Sequence, residues 1–190
     1  MNGEGPLAFR FDDRLREVPL DPAAFAKETD RLVEAVAANR SQPLEQLAAL
    51  GRAAPALRIA GRLDEARLAA SAAVALADLL GEARAAYVNQ LRLAHVMQWQ
   101  GRHELSTPFF ERLVAQARSM SDFEDFLDTA LQHAGKDLFD RRQYAQAERH
   151  FREALEIRQR KADPDRIDSS AFALQQAILA GREAEGTPDC

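Results

Sequence analysis

Gly61-Arg62, Gly101-Arg102, Arg141-Arg142 and Gly181-Arg182 recur at forty-residue steps, each at the end of an apolar helical stretch. A fixed period of this size constrains the chain more than any other feature, because it marks stacked supersecondary units. One such unit cannot bury its own apolar face, so neighbours stack and the row presents a continuous concave surface. Glycine lacks a Cβ and takes up the left-handed conformation that closes a helix, so Gly61, Gly81 and Gly101 predict helix ends.

The composition fits that frame. Of 190 residues, 46% are apolar and only 7% aromatic, which describes a core of Ala and Leu and therefore closely spaced helices. A formal charge of −5 gives no basic face of the kind nucleic acid requires. Met1 to Arg16 lacks the apolar core of a secretory signal, and no run reaches membrane-spanning length. The single cysteine, Cys190, cannot form an internal disulfide or a metal cluster. A cytoplasmic setting is the expectation, with neither nucleic acid nor membrane as partner.

Eight helices are predicted. Residues 1–20, with Gly3, Gly5, Pro6 and Pro19, read as an extended or partly disordered arm. Asp21-Pro22 supplies an N-cap and a proline at the first helical position for a helix reaching about Asn39. Further helices cover Ser41 to Ala60, Leu63 to Leu80 and Glu82 to Gln100, and Pro108 falls in the first turns of the fifth. Ser121 with Glu124 forms a capping box expected to open the sixth. Arg141-Arg142 turns into a seventh over Tyr144 to Arg160, and Asp163-Pro164 starts an eighth expected to fade near Gly181. Residues 21–181 are expected to form one helical repeat domain and 182–190 a disordered tail.

Within Leu131 to Ile157 the chain resembles the tetratricopeptide repeat family. The likeness rests on Ala134, Gly135 and Leu138, then Tyr144, Ala147, Phe151 and Ala154. Small residues at Gly135 and Ala147 let two helix axes approach, while Leu138 and Phe151 fill the space beside them. Earlier copies keep Ala54, Leu57, Gly61, Ala66 and Ala73, and then Ala94, Met97, Gly101 and Phe110, with Ser106 where the family has alanine. The forty-residue period is similar to the longer, kinesin-light-chain-like repeats. The resemblance implies an all-α, right-handed α-solenoid of antiparallel helix pairs, about three repeats with N-terminal and C-terminal flanking helices.

Catalytic signals are thin. His95, His103, His133 and His150 have no metal-ligand spacing, and no phosphate loop or nucleophile elbow appears. No enzyme activity, cofactor or metal is expected. The inward stripe of the first helices, read at 100° per residue, carries Arg58, Arg92, His95, Gln98, Trp99, Gln132, Lys136 and Phe139. That stripe is basic although the chain is acidic. Arg pairs carboxylates bidentately and Trp or Phe offers flat apolar area, so an acidic or C-terminal peptide or protein segment, in extended or helical form, is the expected partner. The asparagine of the family's chaperone-binding carboxylate clamp is absent at that spacing, which argues against a chaperone-tail reader. The expected role is a scaffold or adaptor; the alternative is a regulatory sensor whose shape or dimer state responds to a small molecule or signalling peptide. Phe172 and Leu179 on the last helix are the predicted homodimer contacts.

Overall fold

The computed structural model describes residues 5–186. Residues 1–4, part of the predicted arm, and 187–190, part of the predicted tail, lie outside the described residues. Two short strands come first, β1 (Phe9–Phe11) and β2 (Glu17–Pro19). The helices are α1 (Pro22–Ala38), α2 (Pro43–Ile59), α3 (Leu63–Leu80), α4 (Ala83–Trp99), α5 (His103–Ser119), α6 (Leu127–Asp140), α7 (Tyr144–Lys161) and α8 (Pro164–Gly186). A 3-10 helix, Ser121–Phe126, joins α5 to α6. The chain divides into two compact units. The first holds residues 5–12 and 16–105, the second residues 13–15 and 106 onward.

The arm is a β-hairpin. β1 and β2 pair antiparallel with Phe9 opposite Pro19, Arg10 opposite Val18 and Phe11 opposite Glu17. Pro19 stands at the end of its strand, where a missing N–H is tolerated. Asp12 closes the turn: its Oδ1 accepts from the Arg16 N–H at 2.8 Å, and its own N–H donates to the Arg16 carbonyl at 3.0 Å.

Asp21 caps α1 as its sequence predicts, accepting from the Ala23 and Ala24 N–H groups at 3.0 Å each, with Pro22 at the first helical position. The ends of α2, α3, α4, α6 and α7 share one left-handed turn, at Gly61, Gly81, Gly101, Arg142 and Ala162. In each, the next N–H reaches back to a carbonyl of the helix's last turns, as Arg62 does to Leu57 at 2.9 Å and Gln143 to Leu138 at 2.9 Å.

The left-handed residues from Gly61 to Gly101 fall twenty apart, whereas the next such turn is at Arg142, one residue later than the forty-residue step places it. The cause is the 3-10 segment. Met120, extended at φ −124° and ψ 119°, precedes it with no side-chain cap, so the predicted Ser121 capping box does not open an α-helix here; α6 begins at Leu127. The last Gly-Arg copy is not a turn at all. Gly181 lies inside α8, which runs on through residues 182–186 instead of fading. Its bare Cα passes close to Tyr144 on α7, whose Cβ would be 3.5 Å from an added methyl group.

In the first unit the core is mostly alanine and leucine. Leu47, Leu50, Ala73, Ala77 and Ala86 form one buried cluster, and Ala53, Leu57, Ala66 and Val96 another, covered by Leu32, Val33 and Val36 of α1. The many small side chains allow close packing of α2 on α3. In the second unit the buried cluster is Leu138, Ala147, Phe151, Ala173 and Ala177, together with Leu15 from the hairpin tip. Leu15 sits there at φ 61°, a left-handed conformation that a leucine adopts only under constraint.

Candidate functional site

The polar stripe is best defined on α2 and α4 of the first unit. Gly51 and Arg58 are seven residues apart on α2, and Arg92 and Trp99 seven apart on α4. Seven residues make about two turns, roughly 10 Å along an axis, so each pair shares one helix face.

Arg92 is held at one end of this face. Its Nη1 donates to Asn89 Oδ1 at 2.7 Å, and the buried Asn89 is oriented by its own Nδ2 bond to the Ala85 carbonyl at 2.9 Å. A Cβ on Gly51 would come within 2.8 Å of Arg92 Nη1, so the absence of a side chain there lets the guanidinium lie on α2. Among the described residues, no carboxylate pairs with Arg92. Burial pushes its pKa down, with no acidic neighbour to oppose the shift.

Arg58 is placed differently. It is 5% exposed and donates through Nη1 to Glu17 Oε2 of β2 at 2.8 Å, where Glu17 is 7% exposed. The Arg58 guanidinium also lies 4.5 Å from the Trp99 ring centroid, and Arg16 lies 4.8 Å from the same centroid. Trp99 therefore contacts two cations. His95, itself buried, meets Trp99 edge-on at 6.3 Å, and Gln98 is buried on the same helix. The Trp99 Nε1 has no hydrogen-bond acceptor among the described residues.

In the second unit Gln132 and Lys136 are buried on α6. Gln132 Oε1 accepts from Ser170 Oγ of α8 at 2.7 Å, and Ser170 accepts in turn from Arg158 Nη1 at 2.7 Å. Phe139 packs on the second unit's core and meets Tyr144 edge-on at 5.3 Å. Phe172 is partly buried against the same core, whereas Leu179 is 44% exposed.

Several residues of the polar framework escape a periodicity argument. Asp128 is fully buried and accepts from Arg158 Nε at 2.9 Å and Lys161 Nζ at 2.6 Å. Asp137, also buried, accepts from Ser106 Oγ at 2.5 Å and Thr107 Oγ1 at 2.6 Å. Ser106 thus departs from alanine because its hydroxyl serves a buried carboxylate. Glu17 and Gly51 join the first-unit face through the fold alone. No group of His, Cys, Asp and Glu able to hold a metal ion occurs among the described residues. Among the described residues, no helix is long and apolar enough to cross a membrane.

Consecutive helix pairs, left-handed turns at matching places and a polar face on the first helices define an all-α repeat protein of the solenoid class. Residues 82–160 match the family profile of the tetratricopeptide repeat. Over that segment the chain is similar to tetratricopeptide repeats, and repeats of this kind generally mediate protein–protein interaction. Its fold is similar to that of a Podosopora anserina protein described as a kinesin light chain with nearly identical TPR-like repeats. That likeness has 17% identity and a TM-score of 0.59, over 86% of this chain and 82% of that one. A variant of the same protein gives a TM-score of 0.61 at 17% identity, over 86% and 81% of the two chains. No match was found among curated proteins.

Proposed function

We propose that this protein is a non-enzymatic adaptor that holds an acidic segment of another protein on the α2–α4 face. Arg92 carries the reading. A guanidinium withdrawn from water without a counter-charge is costly to keep, and a ligand carboxylate removes that cost. Asn89 engages only one Nη1 proton, so the remaining N–H groups are free in number to meet a carboxylate bidentately. The helices fix these donors before binding, which lowers the ordering cost of association.

Calorimetric titration with hexaglutamate, with hexalysine as the charge control, tests this. Hexaglutamate should bind, and Arg92→Gln should weaken it at least tenfold, in line with the effect of truncating one partner of a desolvated charge pair. Equal affinity for wild type and Arg92→Gln would remove Arg92 from the site. Circular dichroism confirms that the variant is folded.

A further inference from the structure

The hairpin strand β2 lies on the face that holds Arg92. Glu17 gives a carboxylate to Arg58, Arg16 stacks on Trp99, and this contact is two helical turns from Arg92 and Gly51. We infer that residues 16–19 are the resident occupant of the docking surface for an acidic extended segment, and that such a ligand binds by replacing Glu17 at Arg58. The inference rests on the proposed reading of the α2–α4 face.

Three features make the exchange feasible. The Glu17–Arg58 pair is buried on both sides, with side chains 6% exposed each. A buried pair gains little net stability because desolvation offsets attraction, and one carboxylate replacing another leaves that balance unchanged. The hairpin is also a poor fold by itself, since two three-residue strands are at most marginally stable without support. At its tip, Leu15 is held at φ 61°, a strained conformation that release would relax against the cost of exposing a leucine buried in the second unit's core.

The spacing specifies the ligand. Two helical turns separate Arg58 from the level of Gly51 and Trp99 from Arg92, and an extended chain rises about 3.3 Å per residue. In a polyproline II segment, with three residues per turn and a rise of about 3.1 Å, carboxylates three residues apart share one face and would therefore reach both arginines. While Glu17 is docked, it satisfies Arg58 and leaves Arg92 open.

The test uses the full chain and hexaglutamate. Glu17→Gln should bind the peptide about tenfold more tightly than wild type. In wild type, saturating peptide should lower the hydrogen-exchange protection of amides 9–18 and change the emission of Trp99, the chain's only tryptophan. Equal or weaker binding by Glu17→Gln, or unchanged protection in saturated wild type, would overturn the exchange while leaving the adaptor reading intact. If hexaglutamate binds neither protein, the adaptor reading falls and this inference with it. The exchange measurement on wild type decides the matter even where Glu17→Gln is poorly folded.

Discussion

A Cβ on Gly135 would stand 2.6 Å from Cε1 of Phe151, so α6 and α7 meet at a distance that leaves no room for a side chain. Phe151 is completely buried and cannot swing away. Gly135→Ala should therefore lower stability by about 1–3 kcal/mol through overpacking, despite alanine's better helix propensity. Phe151→Leu should reduce that cost when combined with it, so urea midpoints of the two single variants and the double variant should show less than additive loss. A higher midpoint for Gly135→Ala alone would contradict the contact.

Asp128 links stability to pH. Burial raises its pKa, but the Lys161 and Arg158 hydrogen bonds outweigh burial and hold it below the ordinary carboxylate value. Its folded pKa is thus lower than its unfolded one, near 4, so its contribution is complete above about pH 4–5 and is lost as pH falls through the folded value. Asp128→Asn should cost about 3–5 kcal/mol at neutral pH by leaving Arg158 buried and unpaired. Denaturant titrations from pH 7 to pH 2 should show a shallower acid decline for the variant than for wild type.

Ser106→Ala restores the alanine of the family at that position, yet it should destabilise this protein. The change removes a 2.5 Å hydrogen bond to the buried Asp137 carboxylate, and bonds to charged groups contribute about 1.5–3 kcal/mol. A differential scanning measurement showing no fall in the melting temperature would mean that Thr107 suffices for Asp137.

Arg142 occupies the left-handed place that Gly61, Gly81 and Gly101 hold elsewhere. A non-glycine residue there costs about 1–2 kcal/mol, so Arg142→Gly should raise stability, less the entropy that glycine adds to the unfolded chain. Gly101→Arg should lower it. Matched urea curves for the two variants should therefore move in opposite directions.

Much of the fold is legible because it rests on local chemistry. Asp21 and Pro22 announce α1, the glycines announce turns, and Ala147 with Phe151 announces a helix contact; each signal lies within a few residues of its effect. The hairpin is less visible, since Phe9-Arg10-Phe11 is too short a run to distinguish a strand from a loop. Ser121 and Glu124 have the spacing of a capping box, but the segment tightens into a 3-10 turn before α6 starts. The candidate site is the hardest part. Arg58 and Arg92 look alike in the stripe, and the carboxylate that distinguishes them, Glu17, lies forty-one positions from Arg58 and meets it only after folding.

The one-residue lag at Arg142 bears on how such a chain can be rebuilt by recombination. A graft that exchanges forty-residue blocks, cutting after Gly101 and after Arg141, would place the left-handed turn one residue early in the recipient. The junction would then lack the residue that takes the left-handed conformation closing α6, and the next helix would start from a turn of the wrong length. The interchangeable length is consequently not the period that the Gly-Arg dipeptides spell out. A cassette cut from turn to turn, Arg102 through Arg142, keeps each left-handed turn whole where one cut by sequence similarity does not.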